Sequence, residues 1–128
     1  MGIMKYMTRK LIKPEDLNSR GTLFGGQLLK WIDEEAAIFA MCQLTSPTDL
    51  FPPNIVTKII SEVDFQSSPI LGDIIEIGCN LIGFGRTSLT LECEVRNKYT
   101  KDTIVKIDKI VFVVVDVNGN PKPHGFIK

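Results

Sequence analysis

From residue 27 to residue 44 the chain contains neither glycine nor proline, and Ala, Leu, Met, Glu and Gln dominate. Such a stretch reads as one long helix. Eighteen residues at 1.5 Å rise make it about 27 Å long. Its second half, residues 36–42, is apolar on every side, which predicts a helix buried all round. Beyond residue 44 the pattern changes. Residues 45–53 carry three prolines and read as a loop, and residues 54–65 then read as one strand. In residues 73–82, Ile75, Ile77, Cys79 and Leu81 alternate with Glu76, Gly78 and Asn80. In residues 87–97, Leu89, Leu91, Cys93 and Val95 alternate with Thr90, Glu92, Glu94 and Arg96. Alternation of this kind predicts antiparallel strands with one dry and one wet face. Gly83 and Gly85 are read as the turn between the two. Residues 103–116 form a last strand that ends at the turn signal Asn118-Gly119. Upstream, residues 4–12 read as a first strand ended by Pro14, and residues 15–26 as a loop. One strand, one long helix and four strands make an α+β fold in which the antiparallel sheet wraps around the helix.

At 128 residues this is a single domain, 1–128. Lys+Arg and Asp+Glu each number 15, so no basic field is available for nucleic acid or for an anionic membrane surface. No apolar run approaches the ~18 residues that span a bilayer. Residues 1–11 lack the apolar stretch of a secretory signal. Cys42, Cys79 and Cys93 show no metal-ligand spacing and are expected to be buried thiols in a reducing cytoplasm. His124, the single histidine, lies in Pro121-Lys122-Pro123-His124-Gly125 and is expected on the solvated surface of an irregular tail. There is no nucleophile elbow, phosphate loop or His-Glu-x-x-His. Any chemistry must use carboxylates, amides, hydroxyls and backbone dipoles.

Three features could supply it. Asp33, Glu34 and Glu35 fall in the early part of the helix, and at ~100° per residue they cannot share one site. Asp33 has Leu29, Ala36, Ala37 and Ala40 along its stripe, and small neighbours leave space beside a carboxylate. Glu34 can pair with Lys30. Glu35 lies between Trp31 and Phe39. All three could equally face solvent at a helix end. Phe24-Gly25-Gly26 precedes the helix, where free amides could polarise a carbonyl or hold a phosphate. They could also be ordinary loop glycines. Asn18 could orient a water or serve as a turn residue. Residues 83–88 lack the third glycine and the strand–helix setting of a dinucleotide fingerprint.

Taken together, Asn18-Ser19-Arg20-Gly21-Thr22-Leu23-Phe24-Gly25-Gly26, six residues, then Asp33 resembles the hotdog-fold acyl-CoA thioesterases of the YciA type. Val63-Asp64-Phe65, Pro69, Gly72-Asp73, Arg86-Thr87-Ser88 and the stretch from Phe112 through Pro121 extend the resemblance over nearly the whole chain. The resemblance implies a hotdog fold and hydrolysis of acyl-CoA to free acid and CoA without a metal or organic cofactor. It implies that Asp33 is the catalytic carboxylate and Asn18 its partner from another subunit. The amides near Gly25 and Gly26 would polarise the thioester carbonyl. Asp33 as base and Asp33 as nucleophile both stay open. Arg86, Thr87 and Ser88 become candidates for the CoA moiety, since a guanidinium suits phosphate oxygens. Strand edges require at least a dimer, and the resemblance suggests a trimer of dimers, a homohexamer. Glu34 and Glu35 depart from the small residues often found beside the family's aspartate. The competing readings are a non-catalytic acyl-CoA-binding module and a hotdog dehydratase, for which His124 is the only histidine.

Overall fold

The computed structural model describes residues 3–127. Strand β1 (Lys5–Leu11) is followed by a 3-10 turn (Pro14–Asp16) and helix α1 (Gly25–Gln43). Then come β2 (Ile55–Ile60), β3 (Val63–Phe65), β4 (Ile74–Phe84), β5 (Ser88–Asn97) and β6 (Thr103–Val114). The sheet runs in the order β1-β4-β5-β6-β2, with β3 also on β6, and every pairing is antiparallel.

The expected α+β hotdog arrangement is present. Ile75, Ile77 and Cys79 of β4, Leu89, Leu91, Cys93 and Val95 of β5, and Ile107, Ile110 and Phe112 of β6 form a buried apolar surface. Against it α1 places Leu28, Trp31, Ile32, Ala36 and Ala40. Ala36 and Ala40 are wholly buried, so the helix backbone comes close to the sheet. Each fully buried Leu, Ile or Phe contributes about 1.5–3 kcal/mol relative to exposure.

Four details differ from what the sequence pattern predicts. Residues 54–65 are two strands on one line. Ser61 and Glu62 interrupt them, with Ser61 N–H donating to the Lys109 carbonyl and Ser61 Oγ accepting from Lys109 N–H. Gly83 belongs to β4, where the register shifts after Leu81, and the turn begins at Gly85. Residues 36–42 are not buried all round: Ile38 is half exposed and Cys42 exposed, because among the described residues no element packs closely over that side.

The outer face of β4 is also not wet. Glu76 and Asn80 are buried. Strand β1 lies alongside and brings Arg9 to Glu76, which also receives Arg96 and Lys101. Burial opposes charge on Glu76. The Arg96 hydrogen bond and the Lys101, Arg96 and Arg9 charges outweigh it and hold the carboxyl below the ordinary carboxylate value. Tyr6 stacks on the Arg96 guanidinium at 3.7 Å and donates to Glu94. Burial, reinforced by that bond to Glu94, pushes the phenol well above its usual range.

Candidate active site

Gly25 and Gly26 are the first residues of α1, not loop residues, and Phe24 at the N-cap offers no side-chain acceptor to the first turn. The partial positive charge of the helix start is therefore left for a ligand. A methyl at position 26 would lie 2.6 Å from the half-exposed Phe24 ring, which would have to turn aside. At Gly25 the nearest group to such a methyl is the Phe65 ring, 3.8 Å away.

Asp33 lies eight residues further along α1, about 12 Å on the helix axis. It is half-buried, and its Oδ1 accepts a 2.9 Å hydrogen bond from Thr57 Oγ1 on β2. Thr57 stands opposite Phe112, so it points to the helix side of the sheet. Motif spacing does not single out Thr57, since a threonine in a strand is unremarkable. Its signal is the alternation that sets it on the inner face of an edge strand. Strand β2 pairs with β6 along one side only.

Asn18 is held by its own loop. Its Oδ1 accepts from the amides of Arg20 and Thr22, and its Nδ2 donates to Thr22 Oγ1. Among the described residues no hydrogen bond joins Asn18 to Asp33. Asn18 sits with the helix start: Thr22 bridges to Ile70, and Leu23 N–H donates to the Pro69 carbonyl. Within one chain, Asn18, Gly25 and Gly26 mark one end of the helix, and Asp33 with Thr57 lies about 12 Å along it.

The three carboxylates separate as the helical rotation demands. Glu34 is exposed and has no ion pair among the described residues. Glu35 turns toward β1 and accepts from Thr8 Oγ1. Arg86 and Thr87 lie in the β4–β5 turn, which Gly85 N–H closes onto the Ser88 carbonyl. Ser88 faces Val113, and Val113 faces Val56. The turn thus lies two strand spacings, about 10 Å, from the Thr57 end of β2.

His124 is half-buried rather than solvated. Its Nδ1 accepts from Phe126 N–H, so Nε2 donates to the Ser88 carbonyl at 2.8 Å. Its ring packs against Phe84 and Phe126. It clamps the tail onto the turn. Among the described residues no group of three or more His, Cys, Asp and Glu could hold a metal ion, and no helix is long and apolar enough to cross a membrane.

The sequence model of the thioesterase superfamily matches residues 20–104. The chain is 27% identical over 125 residues to the acyl-CoA thioester hydrolase YciA of Salmonella typhimurium, covering 93% of this chain and 89% of that one. The crystal structure of a hexameric thioesterase from Yersinia pestis superposes with a TM-score of 0.81 at 25% identity, over 98% of this chain and 97% of that one. An acyl-CoA hydrolase from Staphylococcus aureus, solved with butyryl coenzyme A and coenzyme A, superposes with a TM-score of 0.76 at 29% identity. The match covers 91% of this chain and 66% of that one. Structures of that hydrolase include single alanine variants of an asparagine and an aspartate fifteen positions apart, the separation of Asn18 and Asp33 here.

Proposed function

The chain belongs to the thioesterase superfamily, and from that membership we propose that it hydrolyses acyl-CoA to a free carboxylic acid and CoA. The observation that carries the reading is the Asp33–Thr57 pair on an unpaired sheet edge, together with the fifteen-residue Asn18–Asp33 separation found in the staphylococcal hydrolase. Thr57 holds Oδ1 and leaves Oδ2 to take a proton from water. That water attacks the thioester carbonyl carbon, the C–S bond breaks, and the sulfur leaves as CoA thiolate. A thiolate is a good leaving group, so the reaction needs a base and an oxyanion donor and no strong general acid. The amides of Gly25 and Gly26 suit the donor role. Arg86, Thr87 and Ser88 supply a guanidinium and two hydroxyls toward the CoA phosphates. The chemistry calls for no metal or organic cofactor.

About 12 Å of helix separates the donors from the base, so one carbonyl cannot use both from one chain. A second copy removes the difficulty. Val56, Ile59 and Ile60 leave the β2 edge exposed and apolar. Antiparallel pairing of this edge with its symmetry mate would set a second copy beside Thr57 and Asp33. Thr57 holds Asp33, and Phe65 packs beside Gly25. We propose that in such a dimer the partner's helix start and its Asn18 loop reach Asp33. The dimer would carry two such sites, and three dimers would make a hexamer of the kind seen in Yersinia pestis.

Thiol release from acyl-CoA esters of increasing chain length tests the reading. Turnover should persist in EDTA. Asp33→Asn should lower it at least ~100-fold with the fold intact, and Glu34→Gln far less. No thiol release at any chain length would leave a binding module. Equal losses in the two variants would remove Asp33 from its role.

A further inference from the structure

The helix face opposite Asp33 borders a cavity, between α1 and β1, of about 220 Å³. At ~30 Å³ per water this is room for about seven waters. Its walls are mostly apolar, with Phe39, Ile38, Ile77 and Cys79 among them, yet Lys5 and Glu35 both line it.

The polar groups are placed there by a feature of the backbone. Lys5 stands opposite Cys79 and Tyr6 opposite Gly78, but Thr8, not Met7, stands opposite Ile77. The bulge at Met7 turns both Lys5 and Thr8 to the helix side, where regular alternation would turn only one of them. Thr8 Oγ1 then donates to Glu35 Oε2. This fixes the carboxylate and leaves Oε1 with acceptor capacity toward the cavity. Lys5 and Glu35 are not within ion-pair distance of each other among the described residues. A cation and an anion thus line one apolar cavity without neutralising each other directly.

We propose that this cavity binds a small zwitterion with an apolar body, an α-amino acid of about the size of leucine. Its ammonium lies on Glu35, its carboxylate on Lys5, and its side chain against Phe39 and Ile77. Charge complementarity selects this occupant. A simple fatty acid would leave the Glu35 carboxylate unpaired, and a simple amine would leave Lys5 unpaired. The site lies on the other side of the helix from Asp33 and does not depend on the hydrolytic reading.

The test uses the assembled wild-type protein, isothermal titration calorimetry, and three probes: L-leucine, 3-methylbutylamine and 4-methylpentanoate. Leucine should bind in the millimolar range or tighter, and better than either fragment. Glu35→Gln should weaken leucine at least about tenfold, the loss of one charge-assisted hydrogen bond. Lys5→Ala, at an exposed position that leaves folding intact, should weaken leucine but not 3-methylbutylamine. Absence of leucine binding to the wild type, including absence because a second copy covers the cavity, overturns the proposal. So does leucine affinity unchanged in both variants, or a Lys5→Ala loss that falls equally on the amine.

Discussion

If two chains share each site, two dead variants should rescue one another. Asn18→Ala and Asp33→Ala each remove one group from both sites of a homodimer. In a mixed dimer, one site has lost both residues, and the other retains Asn18 from one chain and Asp33 from its partner. The magnitude follows from the proposed arrangement and random pairing. Asp33 is tied to Thr57 at 2.9 Å, Asn18 is tied to its own loop, and about 12 Å of helix separates them. Neither group can cross that gap within a chain without losing its partners. Random reassociation makes about half of the dimers mixed, and half of the sites in those are intact. About a quarter of wild-type activity should therefore return from two preparations that separately have almost none. The assay is thiol release after partial denaturation, mixing and dilution, with exchange followed by mass-tagged chains. Confirmed exchange with no recovery would refute the shared site, because residues drawn from one chain can never be complemented.

Arg86→Ala should raise the KM for acyl-CoA more than for a truncated pantetheine thioester; an equal change would place Arg86 away from the phosphates. Glu76→Gln should cost about 2 kcal/mol at pH 7, because it weakens the hold on Arg96, Arg9 and Lys101. The folded-state value of Glu76 lies below the ordinary ~4.3, so its contribution is complete above that value and is lost as pH falls through the lower one. Denaturant curves should then converge for wild type and variant at the acid end. Cys42 should be the one thiol per chain that reacts with a disulfide reagent in the native protein. Cys79 and Cys93 are buried with their sulfurs 3.3 Å apart, and that mutual contact and burial push the Cys93 thiol far above its usual range.

The parts of the fold that depend on local pattern were legible. Absence of glycine and proline marked the helix, and period-two alternation marked β4 and β5. What escaped depends on which element covers which. Alternation shows that Glu76 and Asn80 point away from the apolar face, but it cannot show that β1 arrives beside them with Arg9 and Tyr6. Ser61 and Glu62 are ordinary strand residues, so nothing local marks the break between β2 and β3. The prolines around His124 suggested a loose tail, and the pattern holds no trace of the Ser88 carbonyl 36 positions earlier that binds it. The spacing of Asn18 and Asp33 singled them out as candidates. Thr57 was not legible, because only the pairing of β2 with β6 brings it onto the inner face.

The run Asp33-Glu34-Glu35 shows how one helix assigns different work to adjacent carboxylates. Each step rotates ~100°, so the three go to β2, to solvent and to β1. The two edges of the sheet are unlike. Strand β1 carries Lys5, Arg9 and Lys10, the charges with which an edge resists a further strand. Strand β2 carries Lys58 alone among exposed Val56, Ile59 and Ile60. Under the proposed pairing a second copy joins beside Asp33, while the charges of β1 oppose one beside Glu35. A carboxylate at the joined edge can meet groups of another chain. One at the guarded edge keeps Thr8 and the cavity. Chemically the two acids are nearly the same, and the strand each one faces decides which can belong to a shared catalytic site.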